Sequence, residues 1–204
     1  KLASKLCEST AIPITEDLEA HLIIEVDGND LDVLMKDMEA IAEVLSNFEV
    51  GELYFADDAQ QKNELWKIRR KASEASVAAG YTIEEDTVVP RAELPLLIKG
   101  VKALALENGF KVVSYGHAGD GNLHIRINHP KYKKSYENEE IQTILFKIFE
   151  LVKSLGGTIS GEHGIGLIQK SFMPVMFDPI SMELMKGIKK VFDPNNILNA
   201  GKIF

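Results

Sequence analysis

The segment FKVVSYGHAGDGNLHIRI, residues 110–127, decides the fold. Both of its ends are apolar and rich in β-branched residues, so residues 110–115 and 123–127 are predicted strands. The glycine-rich loop of residues 116–121 joins them, and its glycines allow a tight reversal of the backbone. The segment therefore predicts a hairpin whose turn carries polar side chains.

Strand and helix patterns alternate outside this hairpin. Further strands are predicted at residues 20–26, 50–56, 81–89 and 158–160. Apolar spacing and N-cap residues predict helices after Asp30 and Asp58 and over residues 94–107 and 141–155.

This order of elements predicts an α+β fold with a ferredoxin-like, largely antiparallel sheet and helices on one face. We expect an α+β domain of residues 1–166. The pattern after Gly166 predicts a small helical subdomain of residues 167–204.

Composition excludes several classes of protein. The 204 residues carry a net charge of −8, and the basic cluster of Lys131, Lys133 and Lys134 predicts a solvated loop, so no nucleic-acid partner is expected. The single cysteine, Cys7, excludes an intrachain disulfide and fits a reducing compartment. No apolar run reaches the length of a transmembrane segment, and no signal-peptide pattern is present.

Two histidines flank the glycine-rich turn and are candidate metal ligands. If the turn folds back on itself, His124 faces His117, and Glu162 or Asp120 could add a carboxylate. Two imidazoles and one carboxylate suit Zn²⁺, Mn²⁺ or Fe²⁺. Of these two carboxylates, Asp120 better suits holding its own turn through bonds from its side chain to the backbone. The alternative to a metal site is an ordinary hairpin with half-buried histidines bonded to backbone carbonyls.

A second glycine-flanked segment, SGEHGIG at residues 160–166, carries Glu162 and His163 side by side. In such a loop both side chains can face one site, although a tight turn with a solvated Glu162 is the alternative. His21 and His129 are predicted to lie at the surface or at a strand end.

Three motifs occur in series, namely GHAGDGNLH at residues 116–124, GEHG at 161–164 and FDPNNILNAGK at 192–202. Together they resemble the C-terminal half of FAD-linked oxidases of the vanillyl-alcohol oxidase superfamily. The branch is that of D-lactate dehydrogenases, the D subunit of glycolate oxidase and D-2-hydroxyglutarate dehydrogenase. The resemblance extends from about residue 65 to residue 204.

The resemblance assigns roles to the histidine motifs. It implies that His117, His124 and Glu162 bind a divalent metal, zinc or manganese, and that His163 is the general base. It also makes residues 1–166 a substrate or cap domain.

The resemblance also implies substrate and cofactor contacts. In the segment from Trp66 to Arg69, the arginine binds the substrate carboxylate, and Ser73 falls on the same helix face. A surface ion pair is the alternative for Arg69. Asn199 and Lys202 are expected to touch one edge of the flavin.

Two departures from the family pattern bear on this expectation. Ala200 stands where the family usually has proline, which predicts a looser turn. Glu84 and Glu85 stand in the strand where members that take dicarboxylates tend to carry lysine, which argues against 2-hydroxyglutarate as substrate.

The predicted function is the oxidation of a small 2-hydroxy acid, of D-lactate or glycolate type, to the 2-oxo acid. FAD would be held mainly by an N-terminal domain absent from this chain, so the chain alone is expected to be inactive. Electrons would pass to a quinone, cytochrome or flavoprotein acceptor, in the cytoplasm or at the periphery of the inner membrane. The alternatives are a metal-dependent hydrolase or lyase that uses the same His/His/Glu site, and a non-catalytic binding module.

Overall fold

The chain divides into two units, Lys1–Ala75 and Ser76–Phe204. The structure, a computed structural model, describes residues 20–129, 131 and 136–204. Cys7 and two lysines of the predicted basic loop, Lys133 and Lys134, lie outside the described residues. The domain boundary predicted after residue 166 stays a prediction.

Helix α1, Leu31–Leu45, lies in the first unit. Helix α2, Ala59–Ala78, begins there and ends three residues past the boundary of the unit. Asp30 caps α1, because its Oδ1 accepts the backbone N–H groups of the next turn at 2.9 and 3.3 Å. Asp58 likewise accepts the backbone N–H of Gln61 at 2.7 Å. Both predicted helix starts are confirmed.

The strands predicted at residues 20–26 and 50–56 are wrong for the described structure, which pairs neither segment with another strand. Their apolar side chains, such as those of Leu22 and Phe55, are exposed. An apolar segment rich in β-branched or aromatic residues suits a sheet, but a strand forms only where a second backbone supplies the ladder hydrogen bonds.

The second unit contains an antiparallel sheet of three strands in the order β1-β3-β2. The strands and the helix inserted between the first two are β1 Ile83–Val88, α3 Leu94–Glu107, β2 Lys111–His117 and β3 Asn122–Asn128. The predicted hairpin and the α+β class are therefore confirmed. The strand predicted at residues 158–160 reduces to one isolated bridge between Val88 and Thr158.

One face of the sheet forms the hydrophobic core. Leu123, Ile125 and Ile127 of β3 are buried in one cluster with residues of α3 and of α4, Glu139–Ser154. Burial of each such apolar side chain stabilises the folded state by about 1.5–3 kcal/mol. Because side chains alternate along a strand, Asn122, His124 and Arg126 lie on the opposite face.

The chain after residue 166 is mostly helical, with α5 at Met173–Met176 and α6 at Pro179–Phe192. Its last residues return to the loop that follows residue 160, since the Ile203 N–H donates to the Gly166 carbonyl at 2.9 Å. None of the helices built from the described residues is both long and apolar enough to cross a membrane.

Candidate metal centre

The sheet face opposite the core carries a cluster of polar side chains. In the central strand β3, His124 is the register partner of Asp86 on one side and of Tyr115 on the other. Arg126, two residues further along, is opposite Glu84. The antiparallel register thus places charged and aromatic groups around one buried imidazole.

The turn between β2 and β3 brings the two predicted histidine ligands together. His117 ends β2, and its ring centroid lies 6.0 Å from that of His124 in an edge-on arrangement. Gly121 reverses the chain with a φ of +73°, and a Cβ there would lie 2.0 Å from the Val89 carbonyl oxygen. Only glycine meets both demands, which explains the glycine in this turn.

Glu162, rather than Asp120, is the carboxylate that joins the two histidines. Ligand atoms of His117, His124 and Glu162 all lie within 4.8 Å of one another. The Nε2 of His124 is 3.4 Å from Oε1 of Glu162. Asp120 lies in the short 3-10 turn Ala118–Asp120 and is exposed.

The residues present fit a divalent transition metal. Ligands at about 2.0–2.2 Å from a shared ion are separated by roughly 3–3.5 Å, so a small contraction of the exposed His117 and Glu162 side chains would suffice. Two imidazoles and one carboxylate are the donor set of catalytic zinc sites, which leave a fourth position for water or substrate. The same set accepts manganese.

The environment of His124 favours the neutral imidazole that a metal requires. Burial lowers the pKa of His124 below its ordinary value, and this effect exceeds the opposing influence of the Asp86 and Glu84 carboxylates. Its Nδ1 lies 3.8 Å from Asp86 Oδ1 and 3.9 Å from Glu84 Oε1, and it has no hydrogen-bond partner among the described residues. A proton on Nδ1 would therefore face two carboxylates and leave the Nε2 lone pair for an ion.

The predicted general base lies beside this group. The ring of His163 stacks on that of His124, with centroids 5.2 Å apart and an angle of 27° between the planes. Its backbone is held by the neighbouring strand, because the His163 N–H donates to Asp86 Oδ2 at 2.9 Å. An imidazole capable of accepting a proton therefore adjoins the His/His/Glu group.

Sequence reasoning did not single out Asp86, Asn122 or Arg126. Asn122 donates to Asp86, and Arg126 donates to Glu84 and Tyr115, both at 2.6 Å. Alternation in the sequence shows that residues 84 and 86 share one face of β1 and that residues 122, 124 and 126 share one face of β3. Only the pairing of the two strands brings these side chains together.

The buried carboxylate of Asp86 accepts several hydrogen bonds from neighbouring protein groups. Burial raises its pKa, but the backbone N–H groups of His163 and Glu162 and the Asn122 amide outweigh burial, so the pKa falls below its ordinary value. The side chain is therefore an anion under ordinary conditions.

The remaining predicted site residues are described by their own elements. Arg69 and Ser73 lie one turn apart on α2 and belong to the first unit. Asn199 and Lys202 contact each other, because the Lys202 N–H donates to the Asn199 carbonyl at 3.1 Å and its Nζ donates to Asn199 Oδ1 at 2.9 Å. Their predicted roles toward substrate and flavin stay predictions.

His129 follows the last residue of β3 and is buried, with Nε2 3.4 Å from a Glu140 carboxylate oxygen. It lies at a strand end, as expected, but not at the surface. Its burial and its pairing suggest a structural role at the start of α4.

Comparisons with known proteins agree with the motifs. The family described as FAD linked oxidases, C-terminal domain, matches residues 3–203. A D-lactate dehydrogenase of Anaerostipes hadrus is 35% identical over 188 residues, which are 92% of this chain and 40% of that protein. The glycolate oxidase subunit GlcD of Bacillus subtilis is 34% identical over 194 residues, covering 95% of this chain and 41% of its own length.

A D-2-hydroxyglutarate dehydrogenase of Stutzerimonas stutzeri is 36% identical over 148 residues, 71% of this chain and 32% of that protein. The chain thus spans about 40% of the length of the first two relatives. The family match covers almost the whole chain, and two of its motifs, at residues 116–124 and 161–164, supply the site described above. The chain therefore belongs to the C-terminal domain family of FAD linked oxidases.

Proposed function

We propose that this chain is the substrate- and metal-binding part of a flavin-dependent dehydrogenase that oxidises a 2-hydroxy acid to a 2-oxo acid. The observation that carries the proposal is the stacking of His163 on His124 next to Glu162 and His117. A proton acceptor beside a divalent-metal donor set suits the removal of a hydroxyl proton. The names of the relatives, which include dehydrogenases of D-lactate and D-2-hydroxyglutarate, support the substrate class.

Each group of the site has a distinct task in this proposal. His117, His124 and Glu162 would hold a zinc or manganese ion, which supplies the Lewis acidity that favours loss of the hydroxyl proton. His163 accepts that proton at a ring nitrogen. A bound FAD would supply the two-electron acceptor that oxidation of the substrate carbon requires.

The substrate carboxylate needs a cation, and Arg69 is the proposed one. A guanidinium group binds a carboxylate with two parallel hydrogen bonds, which fixes its orientation as well as its position. Ser73 lies on the same helix face and is proposed to assist. Asn199 and Lys202 are proposed to contact the edge of the flavin.

A monocarboxylic acid such as D-lactate or glycolate is the proposed substrate. Glu84 brings a carboxylate to the same sheet face as His124, and Arg126 is already paired with it at 2.6 Å. A second substrate carboxylate that approached Glu84 would be repelled where water is partly excluded, although the ion pair with Arg126 reduces this repulsion.

The proposed partners are an FAD-binding domain of the same protein and an electron acceptor, namely a quinone, a cytochrome or a flavoprotein. The location proposed for the whole protein is the cytoplasm, with peripheral attachment to the inner membrane as the alternative. No nucleic-acid partner is proposed, because the net charge is −8.

The test uses the flavoprotein that contains this chain, with dye reduction measured on D-lactate, glycolate and D-2-hydroxyglutarate. We expect turnover of a monocarboxylic acid. His163→Asn should lower kcat by about 10²–10⁴-fold, as for loss of a general base. His21→Asn, which changes an exposed histidine, is the control.

Two results would contradict the proposal. Absence of turnover on every 2-hydroxy acid by a protein that carries both FAD and metal would refute the substrate class. Metal-dependent hydrolysis by a flavin-free protein would favour the hydrolase alternative instead.

A further inference from the structure

The loop that carries Glu162 and His163 is attached to the sheet through one carboxylate. Asp86 of β1 is 1% exposed, and its Oδ2 accepts the backbone N–H groups of Gly161, Glu162 and His163 at 2.9, 2.7 and 2.9 Å. Successive N–H groups that converge on one anion form a concave anion-binding arrangement. Here the anion belongs to the protein itself.

The second oxygen of the same carboxylate faces the central strand. Asp86 Oδ1 accepts a hydrogen bond from the Asn122 side chain at 2.5 Å and lies 3.8 Å from Nδ1 of His124. Asp86 is also the register partner of His124. One side chain therefore contacts the loop with one oxygen and the strand that bears His124 with the other.

We propose that Asp86 is the positioning residue of this centre, holding the loop that carries Glu162 and His163 at a fixed distance from His124. The inference rests on the proposed function, because it concerns how the ligands and the base are arranged. The Glu162 side chain is 57% exposed, so its place relative to His124 depends on where its backbone is held. Three charge-assisted hydrogen bonds to buried Asp86 provide that restraint.

The residue before Glu162 supports this arrangement. A Cβ at Gly161 would lie 2.6 Å from Asn122 Nδ2, 2.8 Å from Val88 Cγ2 and 3.1 Å from Asp86 Oδ1. Any side chain would push the loop away from the Asp86 carboxylate. Glycine is therefore required here for close approach to β1, which is the approach that the three hydrogen bonds need.

Asp86→Asn tests the proposal, because it keeps the size of the side chain and removes its charge. We expect affinity for Zn²⁺, measured by calorimetry, to fall about 10–100-fold, as is usual when a group that orients metal ligands is changed. Amide hydrogen exchange of the metal-free protein should show lost protection at residues 161–163. Asp120→Asn, which changes an exposed carboxylate in the neighbouring turn, should leave both readouts unchanged.

The outcomes separate this inference from the proposed function. A wild type that binds neither Zn²⁺ nor Mn²⁺ contradicts the proposed metal role. In that case the change in amide hydrogen exchange at residues 161–163 in Asp86→Asn is the sole test of whether Asp86 holds the loop. A folded Asp86→Asn protein with wild-type Zn²⁺ affinity overturns the inference, whatever its exchange. If Asp86→Asn fails to fold, Zn²⁺ affinity and amide exchange are measured on Gly161→Ala instead, with the same expected losses. That substitution displaces the loop and keeps the charge of Asp86.

Discussion

Glu85 offers a sharp test of the core, because it is a carboxyl group on the apolar side of the sheet. It is 1% exposed, and Gln169 Nε2 donates to its Oε2 at 2.7 Å. Glu85 Oε1 and Gln169 Oε1 have no hydrogen-bond partner within the described part of the chain. A proton on Glu85 supplies the donor that this pair lacks.

Burial raises the pKa of Glu85 to about 8, aided by the nearby charges of Glu84 and Asp86 and opposed by the Gln169 hydrogen bond. The unfolded chain releases this proton near pH 4.3, roughly the reference value. Between these two values the folded state binds one proton more than the unfolded state. The stabilising contribution of Glu85 to the folded state is therefore fully present below the lower pKa. It is lost as the pH rises between the two pKa values, at about 1.4 kcal/mol per pH unit.

Glu85→Gln should remove this dependence, because the amide stays neutral and can donate to Gln169 Oε1. The free energy of unfolding of the variant relative to wild type should grow by about 1.4 kcal/mol per pH unit above pH 5, which amounts to about 4 kcal/mol at pH 8. Urea unfolding at four pH values measures this difference. Glu150→Gln, on the exposed side of α4, is the matched control and should follow wild type.

Parallel stability curves for wild type and Glu85→Gln would refute the reasoning. They would mean that Glu85 is ionised in the folded protein near neutral pH, with water or a cation beside it. A variant that is less stable than wild type at pH 8 would lead to the same conclusion.

Three further predictions concern the site and the cofactor. His124→Ala should abolish stoichiometric Zn²⁺ binding in elemental analysis after dialysis, whereas His21→Ala should retain it. Arg69→Ala in the flavoprotein containing this chain should lower kcat/KM by roughly 10²-fold, through loss of a charge-assisted pair, whereas Arg70→Ala should have little effect; equal effects would contradict the proposed role. The chain alone should unfold cooperatively, purify without flavin absorbance and fail to reduce dye with a 2-hydroxy acid; stoichiometric flavin in the purified chain would contradict this.

The helices could be predicted from local information. The cap at Asp30, the cap at Asp58 and the apolar spacing over residues 94–107 depend on residues within a few positions of one another. The hairpin of residues 110–127 was equally readable, because its glycine turn is contiguous with its strands. The segments at residues 20–26 and 50–56 were not, because strand formation depends on a partner that no local pattern specifies.

The candidate site divides in the same way. The motifs by themselves indicated His117 and His124 as ligands to consider, with Glu162 or Asp120 as the carboxylate, and the family resemblance implied Glu162 as the third ligand and His163 as the base. They also sufficed to place the chain in its family. Local sequence could do this because each motif is a short, glycine-flanked unit with polar side chains at fixed spacing.

Only the tertiary structure decided that Asp86 serves this site. Its hydrogen-bond partners at Gly161, Glu162 and His163 are 75 to 77 residues away in the chain. Alternation along β1 shows which side chains share a face, but the antiparallel register with β3 decides that Asp86 is opposite His124. The return of the loop to β1 depends on the bridge between Val88 and Thr158 and on the close approach of Gly161, both of which exist only once the distant segments have packed together.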